Sequence, residues 1–184
     1  MTVRLREGKP ELQIITLSSA TEQQWVNLAG STRELWLETD DTTGAVILRI
    51  SVATLAAPAA FSPLPGMNRS FLPLDEIAVE LAIDGKHLLA RKHEVVQFRG
   101  DADTRMVALS RPGRALNIMS DGRAAYHTLE LKDSGTLDCH SVVALDDWHG
   151  SLKLRSGDLI IAAGAPVQIG GKSAVVQLTA KNGM

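Results

Sequence analysis

The sequence predicts an all-β protein built as a barrel or a double sheet, and three observations carry that reading. Short segments alternate apolar and polar residues with period two, as in "LQIITL", "ELWLET", "AVILRISVATL", "IAVELAIDG" and "AAYHTLELK". Turn signals such as "DGKH", "RGDAD", "RPGRA" and "SDGRA" recur about every 8–12 residues, the spacing of sandwiches and barrels. No strand–helix–strand rhythm accompanies them, so a parallel nucleotide-binding sheet has no context. "GKS" at Gly171 to Ser173 also lacks the upstream glycine of a phosphate loop.

Taken in order, "SATEQQWVNLAG" (residues 19–30) predicts the one short N-terminal helix, capped by Thr21 and ended by Gly30. "ELWLET" and "AVILRISVATL" then read as strands. In "IAVELAI" residues Ile77, Val79, Leu81 and Ile83 share one face while Ala78, Glu80 and Ala82 share the other, as on a half-buried antiparallel strand. "HEVVQF", "RMVALS", "ALNIMS", "AAYHTLELK" and "AVVQLTA" continue the pattern. "LKLRSGDLIIAA" reads as strand, turn, strand about Gly157-Asp158, and residues 93–109 have a similar outline. These echoes suggest a single compact unit of two barrel-like halves, about 1–100 and 101–184.

Composition narrows the function classes. The 184 residues carry 19 basic and 21 acidic side chains, a net charge of −2 that gives no drive towards nucleic acid or an anionic membrane. The single Cys139 cannot form an internal disulfide, which favours a reducing compartment. "MTVRLREGKPELQ" has charges and no apolar h-region, which argues against a secretory signal. The longest low-polarity stretch, "ISVATLAAPAAF", is interrupted by Pro58 and too short to span a bilayer. The expectation is a soluble cytoplasmic protein with no nucleic-acid or membrane partner. Its exposed edge strands would permit a homodimer.

The histidines do not assemble a metal site by spacing. His87 and His93 are six apart around "LLARK", whereas converging strand ligands sit at spacing two, and they read as solvent-facing hairpin residues. "DCHS" sets Cys139 beside His140, but neighbours on a strand point apart, so a thiol–imidazole pair is not supported. No metal, no cofactor and no catalytic residue is expected.

Arginine is more informative. Arg49 sits inside the strand "VILRISVA" with Ser51 on its own face and Ile50 and Val52 on the other. If that face lines the interior, Arg49 offers a fork to a carboxylate; if it faces water, it is an ordinary surface cation. Pro63, Pro65 and Gly66 force an irregular loop from which Arg69 emerges onto the next strand. In "RALNIMS" the Asn117 amide faces opposite to Leu116 and Ile118, towards a cavity or water.

Three blocks carry a family likeness. "WVNLAGSTREL" (Trp25 to Leu35) resembles the Trp-x-Asn-Gly-x-Gly-x-Thr-Arg-Glu-Ile signature of the HutD/Ves family. "LRISVATLAAPAAFSPLPGMNRSFLPL" and "VVQFRGDADTRMVALSRPGRALNIMS" resemble its next two blocks, and the likeness runs from about residue 10 to residue 180. The resemblance implies a cupin-like, two-part (bicupin) β-barrel or double-stranded β-helix. It also implies a non-enzymatic small-molecule-binding protein associated with histidine utilisation, with a regulatory role. The ligand so implied is a small organic acid of the urocanate or N-formylglutamate class. It makes Asn27, Thr32, Arg33, Glu34, Arg49, Ser51, Arg69 and Asn117 the ligand-binding positions. Leu28 departs from the pattern where the family has glycine, and Val26 where a basic residue is usual; Ser120 and Asp121 stand where Thr and Arg are common. The alternatives are a cupin-type isomerase or hydrolase of a small acid or sugar, with Glu34 as base, and an interaction module with no ligand.

Overall fold

The computed structural model describes residues 12–181. Among them the first strands are β1 (Gln13–Ile15), β2 (Glu22–Gln24), β3 (Gly30–Thr39), β4 (Val46–Leu55), β5 (Ala59–Ala60) and β6 (Met67–Pro73). They continue as β7 (Ala78–Ile83), β8 (Lys86–Arg91), β9 (Val96–Arg99), β10 (Thr104–Leu109), β11 (Gly113–Asp121) and β12 (Ala125–Lys132). β13 (Gly135–Leu137), β14 (Ser141–Ala144), β15 (Leu159–Ile161), β16 (Val167–Ile169) and β17 (Ser173–Ala180) complete the series. No described helix is long and apolar enough to cross a membrane.

Four antiparallel sheets stack as layers. A four-stranded sheet (β5-β10-β7-β8) lies against a six-stranded sheet (β2-β3-β4-β11-β6-β9). The other side of the six-stranded sheet packs on a five-stranded sheet (β1-β15-β14-β17-β12), beyond which lies the pair β13-β16. β4 and β11 therefore sit between two cores, which is why "AVILRISVATL" is apolar on both faces. Leu48, Ile50 and Val52 enter the core shared with Val143, Leu159 and Val176. Ala53 and Leu55 point the other way, to Phe71, Val79, Leu81 and Met106.

The expected N-terminal helix does not form. Leu17–Ser19 makes a single 3-10 turn, Glu22–Gln24 is strand β2, and Trp25 to Ala29 turn back into β3. Glu22, Gln23 and Gln24 are all exposed, so a helix there would have had no apolar stripe to bury. The edge of β3 offers them a ladder instead, with Glu22 opposite Arg33 and Gln24 opposite Ser31.

The interface between the six- and five-stranded sheets holds a buried polar cluster centred on a histidine. His127 of β12, 8% exposed, lies 2.8 Å from Ser70 Oγ through Nε2 and 2.8 Å from Ser120 Oγ through Nδ1. Burial pushes its pKa down to about 4, so the ring is neutral at pH 7, with one nitrogen donating and the other accepting. The folded value lies below the unfolded one of about 6.5, so this stability is full above pH 6.5 and is lost as pH falls towards 4. We expect denaturant titrations to lose about 3 kcal/mol over that window, and His127→Gln to flatten the curve there. The depressed carboxyls of Glu38, Asp75 and Asp121 lose their contributions mainly below about pH 5, and His93, whose pKa burial also lowers, adds to the loss at higher pH, so the difference between the wild type and His127→Gln isolates the His127 share.

Candidate functional site

A cavity of about 650 Å³ opens between the six- and four-stranded sheets. Strand register writes its floor in rows. Arg49, Met119 and Arg69 stand opposite one another across β4, β11 and β6, and Ser51, Asn117 and Phe71 form the next row. Sharing one face of alternating strands, all six point into the cavity. Leu55, Ala59, Phe61, Leu64 and Met106 supply an apolar wall.

The signature loop forms one side of the mouth, and each of its residues has a local task. The Trp25 indole lies against Gly30, and its Nε1 donates to Thr32 Oγ1 at 2.8 Å. Asn27 Oδ1 accepts from the Ala29 amide at 3.1 Å, an Asx-type turn that leaves the Asn27 amino group available. Leu28 adopts a left-handed backbone (φ 58°) while remaining 73% exposed. Its side chain thus returns little for a conformation that favours glycine. Leu28→Gly is expected to stabilise the fold by about 1 kcal/mol, read as a higher denaturant midpoint with an unchanged slope.

Arg69 is the electrostatic centre. It is 7% exposed, and its guanidinium lies 5.0 Å from the Phe61 ring centre and 5.2 Å from that of Phe98. Its one hydrogen bond is from Nη1 to the Ser62 carbonyl at 3.2 Å; Nε is buried without a partner, and no carboxylate pairs with it among the described residues. Burial, and secondarily the like charge of Arg49, pulls its pKa down to about 10, so it remains a cation at pH 7. Arg49 differs, for its Nε donates to Glu34 Oε2 at 2.7 Å. A register shift between Glu34 and Trp36 makes this contact. The bulge leaves Glu34 on the cavity side opposite Ser51, while Leu35 and Trp36 both enter the core.

Of the positions singled out in the sequence, Asn27, Thr32, Arg49, Ser51, Arg69 and Asn117 line this cavity. Glu34 does not line it but lies on the same side as the partner of Arg49. Arg33 does not reach it: alternation turns Arg33 to the opposite face, where it pairs with Glu22 at 2.8 Å and donates to the Ala20 carbonyl. Neither the Ser51 hydroxyl nor the Asn117 amide is bonded to another described residue. The sequence reading passed over Trp25, Phe61, Phe98 and Met119. Trp25 was legible in the signature, but the Phe61–Arg69–Phe98 stack is completed by Phe98, 29 residues beyond Arg69, and only strand pairing brings that ring to the arginine.

The histidines stay outside the cavity. His87 pairs with Glu80 at 2.6 Å on the exposed β8 hairpin, and His140 pairs with Glu38 at 3.0 Å. His93, expected to face solvent, is largely buried, and desolvation lowers its pKa. No group of three or more His, Cys, Asp or Glu side chains that could hold a metal occurs among the described residues.

The same architecture recurs in solved structures. HutD from Pseudomonas fluorescens SBW25 (formate condition) is similar, at 19% identity and a TM-score of 0.80, the match covering 94% of this chain and 100% of that one. A conserved protein of unknown function from Pseudomonas aeruginosa PAO1 matches at 20% identity and a TM-score of 0.77, again over 94% of this chain and 100% of the other. Protein YlbA from E. coli shares only 7% identity but has a TM-score of 0.63, with 97% of each chain covered. No curated protein matches the chain in sequence. The HutD family model matches residues 17–179. With its cupin-like, all-β layers, the chain belongs to the HutD family.

Proposed function

We propose that the chain is a non-enzymatic binding protein that holds a small organic acid in the cavity between the six- and four-stranded sheets. The observation that carries this reading is Arg69, a buried cation with no acidic partner among the described residues, beside a second arginine. A desolvated guanidinium is costly until an anion pairs with it, and a carboxylate fits its planar fork. Ser51 and Asn117 would orient the acid from the floor, Thr32 and Asn27 from the mouth. Glu34 holds Arg49 in place, and Arg33 serves the β2–β3 hairpin. Urocanate and N-formylglutamate are the acids that family membership brings forward, in a regulatory role within histidine utilisation.

Thermal unfolding against urocanate, N-formylglutamate, histidine, glutamate and simple sugars tests the proposal. An acid at a hundred times its dissociation constant is expected to stabilise the protein by about 2.7 kcal/mol. For a chain of this length that raises the midpoint by several degrees, on the order of 2–4 °C per kcal/mol. No shift with any acid, or equal binding by a folded Arg69→Met protein, would count against it.

The second reading, an enzyme using Glu34 as base, draws less support. Glu34 already accepts from Arg49 and is not among the residues that line the cavity.

A further inference from the structure

Charge counting along the cavity narrows the ligand class, and this deepening rests on the acid-binding reading above. The charged side chains lining the cavity are Arg49 and Arg69. Arg49 is already neutralised by Glu34 at 2.7 Å, whereas Arg69 has no such partner among the described residues. The site as built is therefore short of one negative charge, not two.

The remaining surface is chiefly apolar. The rings of Phe61 and Phe71 meet edge-on with centres 5.7 Å apart, and Leu55, Ala59, Leu64 and Met106 extend the wall away from Arg69. At about 650 Å³ the cavity falls well inside the range of pockets that enclose a ligand with a substantial body, about 300–1,000 Å³. A second carboxylate placed against that wall would be desolvated without a partner, which is strongly unfavourable.

We infer that the cavity is built for a monocarboxylate with an apolar body: one carboxylate on Arg69, and an aryl or alkyl portion along Phe61, Leu55 and Met106. Dicarboxylates of the same length are selected against, N-formylglutamate with its two carboxylates among them, so of the two acids named above urocanate is the one this cavity fits. Glu34 is the residue that sets this preference, because it removes the second positive charge without touching the ligand. It is a positioning residue, and relieving it changes which acids bind.

Calorimetric titration with 3-phenylpropionate, glutarate and acetate separates the possibilities. The wild-type chain is expected to bind 3-phenylpropionate at least about tenfold more tightly than glutarate, with acetate weaker than either because it has no body to bury. In Glu34→Gln the freed Arg49 is expected to improve glutarate binding by about tenfold while 3-phenylpropionate changes little. Both side chains of the Glu34–Arg49 pair are about one-third exposed, so this variant is expected to keep the fold. Ala59→Phe, which fills the apolar arm, should weaken 3-phenylpropionate and spare acetate. Tighter binding of glutarate than of 3-phenylpropionate by the wild type would overturn this inference and leave acid binding intact. So would a Glu34→Gln protein with unchanged selectivity. Failure of all three acids to bind would remove both this inference and the reading it rests on.

Discussion

Replacing Arg69 by methionine is expected to raise the thermal midpoint and, in the same protein, to abolish the acid-induced shift. The guanidinium is buried, is bonded to a single carbonyl and has one nitrogen without a partner. Holding an ion in such a place costs several kcal/mol. Against this stand two stacking contacts worth about 0.5–2 kcal/mol each and one hydrogen bond of about 1 kcal/mol. Methionine keeps an apolar contact with Phe61 and Phe98 and removes the desolvated charge. The balance favours the variant by about 1 kcal/mol, or about 2–4 °C in a chain of this length. A structural arginine would give the opposite result, because its loss would lower the midpoint. Stability surrendered at one residue is what a binding site retains when the ligand supplies the missing partner.

Gly30→Ala is expected to have the largest destabilising effect of any single methyl added at the site. A Cβ built on Gly30 would lie 2.3 Å from the Thr54 carbonyl oxygen and 3.0 Å from the Trp25 ring. The oxygen belongs to the adjacent strand β4 and cannot retreat without breaking the β3–β4 ladder, where Gly30 pairs with Leu55. Overpacking of this kind costs about 1–3 kcal/mol, and here the backbone contact places it at the upper end. The same methyl would push Trp25 off its seat and strain the Nε1 bond to Thr32. The loss of stability should therefore come with weaker acid binding, both measured on the folded fraction below the transition. A Gly30→Ala protein of wild-type midpoint would contradict the packing described for the mouth.

The strands were legible because their signal is local. Alternation in "IAVELAI" placed Val79 and Leu81 in a core, and β7 buries both. The phase of Arg49 with Ser51 was also legible, but not its direction, since β4 is covered on both sides and both phases are buried. Only tertiary pairing shows that the Arg49 face turns to the cavity while the Ile50 face turns to the second core. The bulge that aims Glu34 at Arg49 has no glycine or proline to announce it, so the sequence suggested a shared role for Arg33 and Glu34 that the backbone divides. The helix expected over residues 19–30 failed for another reason. Thr21 and Gly30 resemble cap residues, but the open edge of β3 outcompetes a segment with no apolar face of its own. Leu28 shows the reverse case: a glycine-favouring position is legible from the family pattern, and this chain meets it with φ 58° and a leucine.

The most direct measurement is calorimetric titration of urocanate and 3-phenylpropionate into the wild-type chain and into Arg69→Met. At least one acid is expected to bind the wild type with one site per chain and to give no binding heat with the variant. The variant should show an unchanged β-sheet spectrum and an equal or higher melting temperature. Equal affinity in both proteins would contradict the claim that Arg69 is the anion's partner, and with it the functional assignment of the cavity.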